Sequence, residues 1–191
     1  MKVLVTGGTS LIGGAVAQRL DERGDDVAVF QRRPSGLDVV EELGDITDVS
    51  ALAGAVEGAN AVIHLAARVG VVGAWEDFEL TNVEGTAAVL SAARQAGVSR
   101  FVFVSSPSVA HAGESLVGAG AGPADPDGTS GHYARSKAIA ERLALGESDD
   151  QLSVVAIRPH LVWGPGDTQL VGRIVDRAKS GRLATVGSGA A

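Results

Sequence analysis

The chain contains no cysteine. That excludes a disulfide framework, a thiolate-held zinc and a cysteine nucleophile together, and it leaves the redox compartment open. Positive charge is the minority sign, with 16 Lys and Arg against 23 Asp and Glu and a net charge of −7. No basic run stands out that could displace counterions from a phosphate backbone, so nucleic acid is not an expected partner. No apolar stretch reaches membrane-spanning length, and the opening segment meets Gly7-Gly8 before it could form the apolar centre of a signal peptide. The expectation is a soluble, cytoplasmic protein without a membrane partner. Aromatic residues make up only 4%, against 26 glycines and 45% hydrophobic residues. That is the texture of an α/β layer protein, and 191 residues suffice for one domain burying roughly two-thirds of its unfolded surface.

Short apolar runs recur at wide intervals: Val3–Val5, Val27–Phe30, Ala61–Leu65, Phe101–Val104 and Leu152–Ile157. Near-continuous Val, Ile and Leu imply strands covered on both faces, as in a parallel sheet between helical layers. Ile12, Val16 and Leu20 keep helical spacing in one gap, and Val83, Ala87 and Leu90 do so in another. A third helix is expected over about 133–145. Right-handed crossovers then give a doubly wound sheet of order 3-2-1-4-5-6. Residues 112–131, rich in glycine and without periodicity, form a long loop of the kind that is usually functional or mobile. Leu183–Val186 is strand-like.

The first strand runs straight into Thr6-Gly7-Gly8-Thr9-Ser10-Leu11-Ile12-Gly13, where a helix begins. Glycines let a backbone approach a pyrophosphate, and the helix N-terminus supplies amides and partial positive charge. A tight strand-to-helix turn would read similarly, but the position in the first βα unit favours phosphate. Thr-Gly-Gly-Thr-x-x-Ile-Gly resembles the opening of the extended short-chain dehydrogenase/reductase family. Likeness continues through Gly44-Asp45-Ile46-Thr47-Asp48, His64-Leu65-Ala66-Ala67 and Asn82-Val83-x-Gly85-Thr86. The resemblance implies cofactor contacts from Gly7, Thr9, Ser10, Leu11, Ile12 and Gly13. It adds Asp45 and Ile46 at the adenine, and Leu65, Ala66, Ala67 and Asn82 further along. Ser10 departs from the family, which usually has glycine there. Its hydroxyl could donate to a phosphate instead.

The cofactor's identity turns on the end of the second strand, where a carboxylate would hold the ribose 2′-hydroxyl of NAD. This chain has Phe30-Gln31-Arg32-Arg33. Arg32 and Arg33 can make charge-assisted contacts with the 2′-phosphate of NADP, although arginine pairs after a strand are often only solvated surface. NADP is the expected cofactor, with NAD as the other possibility.

Tyr133-Ala-Arg-Ser-Lys137 places a phenol and an ammonium at i and i+4, on one helix face. A neighbouring cation favours the phenolate, so such a pair can pass a proton, whereas the same spacing also occurs on ordinary exposed helices. Tyr133 is the only tyrosine. The fifth strand ends in Val104-Ser105-Ser106-Pro107-Ser108, at the carboxyl edge where parallel sheets bind ligands. The resemblance implies that Ser106 orients the substrate oxygen, Tyr133 transfers the proton, and Lys137 holds the ribose and tunes the phenol. It places Pro159 and Val162 beside the nicotinamide. His160 reads as a pocket wall rather than a catalytic acid, His64 as a satisfied core histidine, and His111 as a residue that can face substrate.

Arg158-Pro-His-x-x-Trp163-Gly-Pro165 is closest to the sterol and 3β-hydroxysteroid dehydrogenase branch and to 2-alkyl-3-oxoalkanoate reductases. The expected activity is hydride transfer between NADP and an apolar 3-oxo or 3-hydroxy small molecule. Two alternatives stay open: a nucleotide-sugar epimerase or dehydratase, and a cofactor-sensing binding module without turnover. Family members continue into a smaller substrate domain, so residues 1–191 are read as the nucleotide-binding half with the catalytic groups. The resemblance also implies a homodimer through the helices beginning near Ala74 and Tyr133. Ala87, Ala88, Ala92 and Ala93, with Ala138, Ala140 and Ala144, would allow close helix approach, or would simply suit packing on the sheet.

Overall fold

A computed structural model describes residues 1–70, 72–110, 118, 120–167 and 171–184. The chain divides into two units, Met1–His160 and Leu161–Ala191. The first is built on six parallel strands: β1 (Lys2–Thr6), β2 (Asp26–Gln31), β3 (Val40–Leu43), β4 (Ala61–His64), β5 (Arg100–Val104) and β6 (Ser153–Ile157). Their order is β3-β2-β1-β4-β5-β6, the doubly wound arrangement expected from the apolar runs. Each of the five apolar runs from Val3 to Ile157 is found as a strand within two residues of its expected bounds. β3 has no counterpart among those runs. Its sequence, Val-Glu-Glu-Leu, is exposed to half-buried at the sheet edge, where one covered face is not required.

The helices are α1 (Leu11–Glu22), α2 (Val49–Ala55), α3 (Trp75–Phe78), α4 (Gly85–Gln95), α5 (His132–Gly146) and, in the second unit, α6 (Val171–Lys179). A π-helical segment, Glu79–Glu84, joins α3 to α4. α6 is amphipathic and leaves Val171, Ile174 and Val175 exposed. Leu183 and Ala184, expected to open a strand, lie in no regular element, and the rest of that stretch lies outside the described residues. The described part of 112–131 likewise has no helix or strand.

Core packing divides across the sheet. Leu4, Phe30, Val62, Phe101 and Phe103 join residues of α2, α4 and α5 on one face, while Val3, Val5, Val27 and Val29 meet Ala17 of α1 on the other. This fixes the carboxyl ends of β1, β2, β4 and β5 along one edge, where loops converge. The alanines of α4 and α5 are accounted for here. Ala92, Ala93, Ala140 and Ala144 belong to the main core, Ala88 packs against it, and Ala138 is buried beside Val109. Ala87 is half-buried. Their small size lets the helices settle on the chain's own sheet and by itself demands no second copy.

Candidate active site

The turn after β1 is shaped by glycine. Gly7 has φ +81°, and a Cβ there would stand 2.9 Å from the Ala66 nitrogen. A Cβ on Gly13 would stand 2.2 Å from the Gly7 carbonyl oxygen, so the loop closes this tightly only without side chains. Ser10 caps α1: its Oγ accepts from Gly13 N at 3.0 Å and donates to Gly7 O at 2.8 Å. The hydroxyl proton expected at a phosphate is therefore committed to the loop's own carbonyl. The backbone amides of this helix N-terminus remain the anion-binding feature.

A cleft of about 140 Å³ opens above this turn. Of the sequence-predicted residues it is lined by Gly7, Thr9, Ser10, Arg32, Arg33, Asp45, Ile46, Leu65, Ala66 and Ala67. Leu11, Ile12 and Gly13 form the first turn of α1 behind it and do not line it. Gln31, Gly44 and Thr81 line it without having been singled out as site residues. Gly44 carries its own signal: a Cβ there would stand 2.5 Å from the Phe30 ring. Thr81 could not be found from a 3.6-residue period, because the π segment shifts the register at that point.

Asn82, also expected at the cofactor, is not among the residues that line the cleft. It is buried, and its side chain is consumed by protein: Oδ1 accepts from Arg68 N at 2.7 Å, while Nδ2 donates to Arg68 O at 3.0 Å and Ser136 Oγ at 2.9 Å. It braces the backbone after β4 against α5 and does not line the cleft. Pro159 is half-buried just after β6 and His160 is exposed. Val162 belongs to the second unit, and His111 lies outside the described residues.

Ser106, Tyr133 and Lys137 come together at the end of β5. Tyr133 is half-buried and hydrogen-bonded with Ser106, whose Oγ also lies 2.9 Å from Ser108 Oγ. Burial pushes the phenol above its ordinary value, and the Ser106 contact opposes that shift. Lys137 is buried, donates from Nζ to Val104 O at 2.8 Å, and sits 4.0 Å over the Phe103 ring. The expected lysine support of the phenolate is thus not expressed in this arrangement, because the ammonium is turned to a backbone carbonyl. Its burial brings the Lys137 value down to about 7, against the opposing charge of Glu141.

That shift has a consequence for stability. The folded value lies below the unfolded value of about 10.4, so between about pH 7 and 10 the unfolded chain holds the extra proton and stability rises with pH. Lys137→Met should remove that contribution, up to about 1.4 kcal/mol per pH unit, from urea midpoints measured across this window. An unchanged slope would mean that the ammonium keeps an ordinary affinity for its proton.

One face of α5 carries Tyr133, Lys137 and Glu141 at successive four-residue steps. Glu141 is buried and bonded by Arg158, Nε to Oε2 at 3.0 Å and Nη2 to Oε1 at 2.5 Å. This pair ties α5 to the chain just after β6. Among the described residues no cluster of His, Asp and Glu could hold a metal ion, and no helix is long and apolar enough to cross a membrane.

The model of the NAD dependent epimerase/dehydratase family matches residues 3–191. A 2-alkyl-3-oxoalkanoate reductase of Stenotrophomonas maltophilia is 42% identical over 99% of this chain and 59% of its own length. A 3-beta-hydroxysteroid dehydrogenase of Mycolicibacterium neoaurum is 34% identical over 95% of this chain and 53% of its own. Among solved structures, MoeE5 in complex with UDP-glucuronic acid and NAD superposes with a TM-score of 0.81 at 32% identity, covering 93% of this chain and 61% of that one. DesIV, a dTDP-glucose 4,6-dehydratase from Streptomyces venezuelae with NAD bound, gives 0.83 at 28% identity, over 95% and 63%. This chain therefore spans between half and two-thirds of the length of these proteins.

Proposed function

The chain belongs to the NAD dependent epimerase/dehydratase family, and from that premise we propose that it carries the cofactor-binding and proton-transfer half of an oxidoreductase. The reaction passes a hydride between a nicotinamide dinucleotide and an apolar 3-oxo or 3-hydroxy small molecule. The observation that carries this reading is the alignment, along one sheet edge, of the glycine turn, the cleft lined by Gly7 through Ala67, and the Ser106–Tyr133–Lys137 group. The sequence likeness to a 2-alkyl-3-oxoalkanoate reductase at 42% identity supports the substrate class.

The residues present fit a dinucleotide. Gly7 and Gly13 let the turn close on its own backbone beside the cleft, and the N-terminus of the twelve-residue α1 supplies partial positive charge for a pyrophosphate there. A bound nicotinamide would supply the hydride donor or acceptor. The chain itself handles the substrate oxygen. In the reducing direction Ser106 donates a hydrogen bond to the carbonyl oxygen, and the Tyr133 hydroxyl gives it a proton as the carbon gains hydride. Lys137, whose ammonium has donors beyond the one bound to Val104 O, can hold ribose hydroxyls beside the phenol.

NADP is the proposed form. Gln31, Arg32 and Arg33 line the cleft at the end of β2, and no carboxylate stands at those positions. The Glu41 carboxylate on β3 is held by Gln31 Nε2, Ser35 N and Ser35 Oγ, all on one oxygen, and it does not line the cleft. Replacing Arg32 and Arg33 by Ala should weaken NADPH binding by about 1.5–3 kcal/mol per charged hydrogen bond lost, with NADH nearly unaffected. Calorimetric titration with both cofactors checks this, and equal losses would refute the 2′-phosphate assignment. A C₂ dimer through the helices beginning near Ala74 and Tyr133 is proposed from family likeness alone. Light scattering should give twice 19.3 kDa, and a monomer mass would remove it.

A further inference from the structure

His64 ends β4, in register with Thr6 on β1 and Phe103 on β5. It is fully buried, and both ring nitrogens are engaged: Nδ1 lies 2.7 Å from Thr6 Oγ1 and Nε2 lies 3.0 Å from Thr86 Oγ1. The direction of each bond follows from the backbone at either end. Thr6 Oγ1 accepts from Leu65 N at 3.2 Å and from Ala66 N at 3.1 Å, which occupies its lone pairs. Its proton is therefore donated to His64 Nδ1. The imidazole then carries hydrogen on Nε2 and donates it to Thr86 Oγ1. Thr86 in turn donates to Asn82 O at 2.6 Å. Every polar group in the relay is satisfied in this one sense, and a protonated imidazole would break it at Thr6. Burial, with the charge of Lys137, brings the ring's value down to about 3, in keeping with a neutral imidazole.

The two ends of the relay lie in different walls of the same site. At one end, Leu65 and Ala66 line the cleft, and the Ala66 backbone is in close approach to Gly7. At the other, Asn82 and the cleft-lining Thr81 sit in the π segment. Asn82 continues the network through Ser136, whose Oγ donates to Tyr133 O at 2.9 Å. An apolar ring in its place would leave Thr6 Oγ1 and Thr86 Oγ1 without these partners, while Phe101 and Phe103 already supply aromatic volume around it.

We propose that His64, as the neutral Nε2–H tautomer, is a positioning residue that sets the β4 exit and the π segment at the spacing the dinucleotide requires. The proposal rests on the cofactor reading of this cleft. Its effect runs through the hydroxyl directions of Thr6 and Thr86, which no apolar ring of the same size can specify.

Calorimetric titration of the full chain with NADPH tests it. His64→Phe keeps an aromatic ring and loses both hydrogen bonds, so the Kd should rise about tenfold or more. His64→Gln, which can both accept and donate, should recover part of that loss. Leu152→Ala, at the opposite end of the sheet from the cleft, serves as a stability control and should leave the Kd unchanged. Equal affinity in His64→Phe and the unaltered chain overturns the proposal, as does a weakening matched by Leu152→Ala at equal loss of melting temperature. Should His64→Phe fail to fold, imidazole ¹⁵N shifts of the unaltered chain decide. A persistent Nε2–H tautomer between about pH 5 and 8 is expected, and the Nδ1–H form or titration in that range overturns the proposal. If the unaltered chain binds neither NADPH nor NADH, the cofactor reading itself falls. If it binds and His64→Phe binds equally, only the role of His64 falls.

Discussion

Tyr133→Phe should lower kcat by about 10²–10⁴-fold, the range for loss of a positioned general acid or base, with the cofactor Kd nearly unchanged. The phenyl ring keeps its half-buried place at the start of α5, and the residue's structural tie to the network, from Ser136 Oγ to the Tyr133 carbonyl, belongs to the backbone and survives the substitution. Only the hydroxyl facing Ser106 is lost. The pH profile should separate this from a folding defect. Burial raises the Tyr133 value, so a proton donor remains available throughout the neutral range and is lost only on the alkaline side. A variant retaining more than about a tenth of the parent rate would remove Tyr133 from the proton path.

Arg158→Leu should cost about 3–5 kcal/mol of stability, the penalty for leaving one member of a buried pair without its partner. Glu141 is 2% exposed, and both of its oxygens are bonded by the guanidinium, so its carboxylate would lose both of these bonds. Guanidinium unfolding at neutral pH measures the loss. A loss under about 1 kcal/mol at neutral pH would show the pair to behave like an exposed one. Glu141→Leu in the same background should restore much of the stability, since an apolar pair of similar volume avoids desolvation altogether.

These expectations depend on features the sequence discloses unevenly. β1, β2, β4 and β5 are legible because strands covered on both faces leave long apolar runs, and β6 carries such a run although it is an edge strand that leaves Val155 and Ile157 exposed. β3 is not, since an edge strand reading Val-Glu-Glu-Leu meets one neighbour and much solvent. The glycine turn and the i, i+4 pair of Tyr133 and Lys137 are readable because their chemistry demands fixed residue types at fixed spacing. The π segment is not readable from period, and two assignments turn on it: Thr81 enters the cleft, and Asn82 turns into protein. Ser10 and Lys137 show the same limit at the level of single protons. Residue type tells what each can donate, while the local fold decides that Ser10 donates to Gly7 O and Lys137 to Val104 O. The pairing of Glu141 on α5 with Arg158, just after β6, joins positions 17 residues apart that no local pattern connects.

Whether nicotinamide is consumed or recycled separates the proposed oxidoreductase from an epimerase or dehydratase, since both chemistries can use the same serine, tyrosine and lysine. The deciding measurement follows NADPH by absorbance while the protein turns over a 2-alkyl-3-oxoalkanoate, with the hydroxy product quantified in parallel. The proposed function predicts that one NADPH disappears for each hydroxy acid formed, and that Tyr133→Phe abolishes both together. Cofactor that binds but shows no net consumption, while a nucleotide sugar is converted in the same cleft, would contradict it.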